Sequence, residues 1–423
     1  MTDHESGIGR RIAYYRARKG LSQRDFAPLI KRSEAWVSQV ERGVRPVKAL
    51  DVLGRIAEVL DMPVAELAPN APAARAEPTP AHTRALRLLL ATDHALRAMV
   101  TEPAARPDLD QLAEQVDIVW ICARQARYAE LHTLLEVLLP QLETAAAVRD
   151  SSHADVLLAE TCQVWAIALA ELQQFDAAWA AAERAMRVAH RRADPVLMAA
   201  CAFRRTIVFQ RGQRLDLARQ TAESARAALE GMLDQPASQA LIVYGALTLQ
   251  SAIIAARADD AERARELLDD ARKAASAAGT DREEYRVEFG PAAVAVHEVA
   301  VAVELGDAGT AIRLAAEIDT RNLADFHRVR LLADTARAWA QRRRPDRALA
   351  RLLDAEALAP EYLAGHRAVR STTVDLLSMD PGTPGLDEFA RRIGIDMPRV
   401  PSPAGRKNTA RIALRAARGP RKP

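Results

Sequence analysis

The chain has 423 residues, 49% hydrophobic and 27% charged, a globular balance that suits roughly two to four domains. Aromatic residues are scarce at 4% while Ala, Leu and Arg abound, a mixture that favours helices and points to a GC-rich genome. No run approaches the length of about eighteen apolar residues that a membrane span needs, and the start "MTDHESGIGRR" carries no apolar leader. Cys122, Cys162 and Cys201 stand apart with no C-x-x-C pair, so reduced thiols in a cytoplasmic protein are expected. The net charge of +3 hides a gradient. Ile8 to Lys48 holds eleven Lys/Arg against Asp25, Glu34 and Glu41, and Arg399 to Pro423 holds eight with no acid. Basic ends on an acidic middle suit an anionic partner, nucleic acid first, although solvated charge runs are common.

In chain order, Ile8, Ile12 and Tyr15 share one side of a first helix that Gly20 can end. Ser22 then reads as an N-cap, with Asp25 completing a capping box and Leu21 and Phe26 spaced for a hydrophobic staple. Ser33 caps the next helix, which closes at Gly43. Two short helices on a tight link are a helix-turn-helix unit. At 100° per residue, Trp36, Val37 and Val40 form the apolar side of the second helix. Glu34, Ala35, Ser38, Gln39 and Arg42 form the opposite side. Short hydrogen-bonding groups on a rigid rod match the demands of the major groove. Gln39 suits adenine, Ser38 several bases, Ala35 a thymine methyl and Glu34 a cytosine amine. Gln23, Lys31, Arg32, Trp36, Arg42 and Arg45 suit phosphate and sugar contacts. Each also has a plainer use. Glu34 favours a helix start, Arg42 and Arg45 a helix end, Ser38 and Gln39 a solvated surface, and Trp36 a half-packed core edge.

The stretch "LSQRDFAPLIKRSEAWVSQVERGVRP…LDVLGRIAEVLDMPVAEL" resembles the five-helix DNA-binding domain of the lambda-repressor (Cro/CI, Xre-type) regulators, over about residues 7–68. The resemblance implies a phosphate-contacting glutamine at Gln23 and base-reading positions at Glu34, Ala35, Ser38 and Gln39. Helices over about 46–60 and 64–67 would complete its core. The sequence departs from the pattern in two places. Lys31-Arg32 replaces a glycine and a buried aliphatic, and a lysine at positive φ costs on the order of 1 kcal/mol. Pro28 inside the first helix removes a backbone bond and is expected to kink it.

Residues 69–82, "PNAPAARAEPTPAH", read as a semi-extended linker. From 83 to 395 the periodicity is helical, with breaks such as "RRADP", "AAGTD" and "LGDAG" and no competing strand. A degenerate repeat runs through this part. The pairs Leu131/Leu138, Ala178/Ala185, Ala218/Ala225, Ala264/Ala271, Ala311/Ile318 and Ala348/Ala355 each lie seven apart, two helical turns on one face. Small residues there let a second helix approach closely. The intervals of 40, 46, 47 and 37 residues are looser than a regular array. The pattern resembles tetratricopeptide repeats, with Trp165 and Tyr244 at large-residue positions; an unspecialised helical bundle is the other reading. Residues 396–423 read as a basic, Pro-rich tail that is disordered when free.

The expected fold is therefore all-α, a five-helix lambda-repressor-like domain followed by a tetratricopeptide-like α-solenoid. This domain order resembles bacterial regulators of GC-rich Gram-positive organisms and, more distantly, peptide-responsive regulators. The resemblance implies a signal-binding groove. Those receptors grip peptide backbone with asparagines; here Asn occurs only at Asn70, Asn322 and Asn408. Gln163, Arg204, Tyr244, Gln250 and His297 are the substitutes on expected inner helices, although each also suits ordinary surface or core. "HEVAV" at His297 lacks the second histidine of a zinc helix, and no nucleophile elbow, P-loop or dinucleotide loop occurs. No metal, cofactor or enzymatic activity is expected. The resulting expectation is a dimeric regulator on a palindromic duplex, responsive to a peptide, small molecule or protein. The alternative is a repeat scaffold whose small domain does not read DNA.

Overall fold

The computed structural model describes residues 5–42, 47, 50–60, 80–91, 108–147, 152–233, 238–323, 325–360, 363, 366–380 and 382–395. Gly43, Arg45, the helix expected over 64–67 and the tail 396–423 lie outside them, as does most of the linker.

Four helices make the N-terminal unit: α1 (Glu5–Arg18), α2 (Gln23–Leu29), α3 (Glu34–Glu41) and α4 (Leu50–Leu60). Its core is its own, built from Ile12, Phe26, Ile30, Val37, Val40, Leu53 and Ile56, with Ile8, Tyr15 and Leu21 packed at the edge. The expected staple partners Leu21 and Phe26 thus meet in one cluster. Gly9 is where α1 crosses α3. A Cβ there would stand 2.1 Å from the Val40 carbonyl oxygen, so only hydrogen permits this approach.

α5 (Ala81–Leu88) starts two residues inside the stretch read as linker, after Pro80. Among the described residues seven helical pairs follow. They are α6 (Leu109–Arg124) with α7 (Tyr128–Ala147), α8 (Ser152–Glu171) with α9 (Phe175–Arg192), and α10 (Pro195–Arg211) with α11 (Leu215–Leu229). Next come α12 (Gln239–Arg257) with α13 (Ala261–Ala278), α14 (Pro291–Glu304) with α15 (Ala308–Glu317), and α16 (Asp325–Gln341) with α17 (Pro345–Leu358). α18 (Arg367–Met379) and α19 (Leu386–Arg392) end the series. Of the spaced repeat residues, all are buried except Ile318, which is half-buried just past α15. Small side chains at these sites let the two helices of a pair pack along their length. Trp165 is fully buried and its Nε1 donates to the Leu86 carbonyl at 3.1 Å, locking α5 onto α8.

The first six pairs share one turn. Three residues link the helices, and the middle one, Ala126, Gln173, Gln213, Asp259, Gly306 or Arg343, has positive φ. The third returns its amide to the preceding helix, as in Arg127 N to Cys122 O at 2.9 Å and Arg344 N to Trp339 O at 3.0 Å. This is a Schellman closure. Five of the six middle residues are not glycine, so glycine does not mark this turn in the sequence. α12 is apolar and long enough to cross a membrane by length and composition, with mean hydropathy 1.5, yet 89% of that window is buried within the stack.

One short hairpin interrupts the helices of this all-α fold. β1 (Arg282–Glu284) and β2 (Val287–Phe289) pair antiparallel, with Arg282 opposite Phe289 and Glu284 opposite Val287. The two-residue turn places Tyr285 and Arg286 at φ 46° and 63°, the primed geometry that matches strand twist. Val287 and Phe289 are fully buried while Glu288 between them is not, a short alternation inside a helical context. Phe289 fills the space above Gly245 in α12, where a Cβ would stand 2.2 Å from its ring.

Candidate nucleic-acid interface

The N-terminal side of α2 is set by reciprocal bonds. Ser22 Oγ accepts from Asp25 N at 3.1 Å, and Asp25 Oδ2 accepts from Ser22 N at 3.4 Å. The Ser22 hydroxyl, which donates to Asp25 Oδ2 at 2.5 Å, and then the Ser22 amide hold the Asp25 carboxyl below its usual range. Pro28 stands one residue before the end of α2, and Lys31, at φ 54°, occupies the left-handed position normally given to glycine. Arg32 N closes the turn on Ala27 O at 2.9 Å. Ile30 supplies buried aliphatic bulk, and half-buried Arg32 lays its guanidinium over the Trp36 ring, Cζ to centroid 5.6 Å. The conformational cost at Lys31 is thus offset by packing on both sides of it.

α3 begins with Ser33 Oγ accepting from Trp36 N at 3.2 Å. Val37 and Val40 face the core. Glu34, Ala35 and Arg42 are exposed; Trp36, Ser38 and Gln39 are half-buried. The half-buried Ser38 and Gln39 side chains make no hydrogen bond to the described residues. Arg42 Nε donates to the Ser38 carbonyl at 3.2 Å, which is the helix-end use of this residue.

Underneath lies a brace that sequence reasoning missed. Glu41, its side chain 6% exposed, accepts from Arg16 Nε at 2.5 Å and Nη2 at 2.8 Å. It also accepts from Gln23 Nε2 at 2.7 Å, while Arg16 Nη1 donates to Leu21 O at 2.6 Å. One carboxylate therefore ties α1, the start of α2 and the end of α3. Gln23, read as a phosphate contact, has one amide proton committed to this brace and keeps the other. The bidentate partner raises the Arg16 pKa despite burial. The sequence showed a lysine- and arginine-rich surface; the third dimension removes Arg16 from it.

The first helices of the pairs line a cavity of about 1410 Å³. A polar row crosses it, one residue per helix. Gln210 Nε2 donates to Gln250 Oε1 at 2.9 Å, and the Gln250 amide meets His297 Nε2 at 3.4 Å. Arg330 Nη1 meets the same nitrogen at 3.1 Å. His297 Nδ1 lies 2.7 Å from the Ala293 carbonyl, which assigns the proton to Nδ1 and leaves Nε2 as acceptor. Burial, with Arg330 beside it, holds this imidazole neutral, well below its usual range. Beyond it, burial pushes Glu304 up, but Arg337 and Arg257 outweigh burial and bring it to about 2.

Of the five groove residues read from the sequence, Arg204, Gln250 and His297 border this cavity. Two do not. Gln163 is buried between α8 and α10, its amide donating to Cys201 Sγ at 3.4 Å. Tyr244 lies under Arg226 of α11, its Oη accepting from Nη2 at 3.0 Å, because α12 turns that face toward its neighbour. Lys31, Arg32 and Trp36, read as phosphate contacts, also border the cavity. Among the described residues no cluster of His, Cys, Asp or Glu is arranged to hold a metal ion.

Residues 8–69 match the sequence family described as a helix-turn-helix domain. The chain thus joins an N-terminal helix-turn-helix domain to a body of stacked helical pairs. No curated protein is a detectable match. Among solved structures, the chain is similar to Bacillus thuringiensis PlcR in its complex with the peptide PapR7 and DNA. That match is at 16% identity and a TM-score of 0.22, covering 64% of this chain and 93% of that one.

Proposed function

We propose that the chain is a sequence-specific DNA-binding transcription regulator of the Cro/CI, Xre type. The observation that carries the reading is α3, a capped and braced helix with half-exposed Ser38 and Gln39 beside exposed Glu34 and Ala35. The body is read as a tetratricopeptide-like sensor for a peptide or small molecule. It also dimerises the chain, so that two copies of α3 reach half-sites of a palindrome about one helical turn apart. The setting is cytoplasmic, and the chain acts by binding, without catalysis or a cofactor.

Selection from a random duplex library tests this. The native chain should enrich one site, with affinity falling steeply with salt. Ser38→Ala/Gln39→Ala should keep its helix content and lose enrichment. If the double variant enriches the same site, α3 is not the reading helix. If the native chain ignores duplexes at low salt, the scaffold alternative holds instead.

A further inference from the structure

The β1–β2 hairpin enters the stack between α13 and α14 and reaches across four other helices. Tyr285 Oη donates to Asp194 Oδ2 at 2.7 Å, at the start of α10. Arg286 pairs with Asp117 of α6 at 2.7 Å and Glu160 of α8 at 3.0 Å. Glu288 lies 3.4 Å from Arg124 of α6 and 3.6 Å from His327 of α16. The hairpin thus spans the inner face of the stack, held at its tip by ion pairs and at its base by Phe289.

Beneath the tip is Arg204. Its guanidinium carbon is 5.0 Å from the Trp120 ring centre and 4.9 Å from that of Phe203. Among the described residues no carboxylate lies within ion-pair distance of it, and its Nη2 donates only to the Arg286 main-chain carbonyl. Its Nε is buried without a partner, and so is Trp120 Nε1. Burial, with Arg124 adding to it, brings the Arg204 pKa down to about 10, against the pull of Glu288 and Glu283. A half-buried guanidinium whose Nε is buried without a partner and whose one acceptor is a neutral carbonyl is poorly compensated. Moreover, that carbonyl belongs to one of two adjacent residues in the left-handed region, where side chains other than glycine are disfavoured. Two unpartnered donors on stacked groups, one of them a planar fork, fit a carboxylate.

We propose that the Arg204–Trp120 corner binds a ligand carboxylate, which takes the place of the hairpin tip. The hairpin is then an internal occupant of the groove, and its release is the event a ligand produces. This supplies the ligand chemistry of the sensing body described above and rests on that reading. The carboxylate can come from a peptide end or from a small organic acid, and the test separates the two.

Full-length chain is titrated calorimetrically with N-acetyl-dialanine, its carboxamide and succinate, and hydrogen exchange is followed over residues 282–289. A carboxylate probe should bind at millimolar concentration and speed exchange of the hairpin about tenfold, with the carboxamide inert. Binding of succinate alone assigns a small acid; binding of acetyl-dialanine assigns a peptide end. Arg204→Gln should weaken binding by about tenfold or more, about the value of one charge-assisted bond, Arg204→Lys by less, and Trp120→Phe by a few fold. Unchanged α10 and α12 exchange in each variant shows that the stack is intact. The proposal is overturned if no carboxylate binds, if the carboxamide binds equally, or if Arg204→Gln binds like the native chain. Duplex selection on the same preparations keeps the two readings apart. A chain that selects a site but ignores carboxylates sinks this proposal alone, and the converse sinks the DNA reading alone.

Discussion

Replacing Glu41 by Ala removes the acceptor of three side-chain bonds at once, from Arg16 Nε, Arg16 Nη2 and Gln23 Nε2. Arg16, only 14% exposed, would keep the Leu21 carbonyl and lose its counter-ion. Orphaning one member of a buried pair costs about 3–5 kcal/mol, and partial access of Arg16 to water sets the expectation near the lower end, about 3 kcal/mol. For a unit of this size each kcal/mol lowers the melting temperature by about 4–8 °C, so a loss of more than about 12 °C is expected. Glu41→Gln keeps the shape and part of the bonding and should cost about 1–2 kcal/mol. Arg16→Met/Glu41→Leu removes both charges and should cost less than Glu41→Ala alone. Denaturant-dependent hydrogen exchange of α1–α3 in the full chain reads these values without interference from the body. A Glu41→Ala loss under about 1 kcal/mol, or a double variant worse than the single, would refute the assignment of Glu41 as the brace.

Three further outcomes follow from named contacts. Gly9→Ala gains roughly 1 kcal/mol of helix propensity. It must also push the Val40 carbonyl away from a contact of 2.1 Å, at about 1–3 kcal/mol of overpacking. Site enrichment should therefore drop with α3 displaced, and full retention of both stability and enrichment would contradict the close crossing. Gly245→Ala should expel Phe289 and raise exchange across 282–289 while α13 stays protected; an unchanged hairpin would show that Phe289 does not anchor it. The body should lose stability as pH falls below about 6.5. Burial, aided by nearby arginines, holds His297 well below its ordinary range, His327 at about 4 and His366 at about 3. The unfolded chain then binds more protons, so each histidine contributes up to about 1.4 kcal/mol per pH unit on the way down. Depressed Glu304 adds a second loss as pH falls from the ordinary carboxylate range toward 2. A denaturant midpoint that stays flat between neutral and mildly acid pH, or a slope unchanged by His297→Gln, would count against the neutral imidazoles.

The order of helices, both caps of the helix-turn-helix unit and the outward edge of α3 were legible from residues 8–42 alone. Each depends on contacts within a few positions: a serine oxygen reaching its own N3 amide, or valines three apart on one face. The spaced small residues of the body were legible for the same reason, since a seven-residue interval is a property of a single helix. Ile318 departs because α15 stops at Glu317.

What only the tertiary structure decided involves partners far apart in the chain. Glu41 meets Arg16 across 25 positions, and Arg286 meets Glu160 across 126. No local pattern distinguishes these charges from solvated ones, because their energy comes from shared burial. The hairpin was hidden because its turn is Tyr285-Arg286 rather than Asn-Gly; ion pairs to other helices hold a conformation that local preference disfavours. Tyr244 and Gln163 were misplaced for a related reason: α8 and α12 are covered nearly all round, so periodicity shows no single inner face. Local hydrogen bonding and helical period thus sit in the chain itself. Which charges pair, and which face lines the groove, is settled only when distant helices exclude water together.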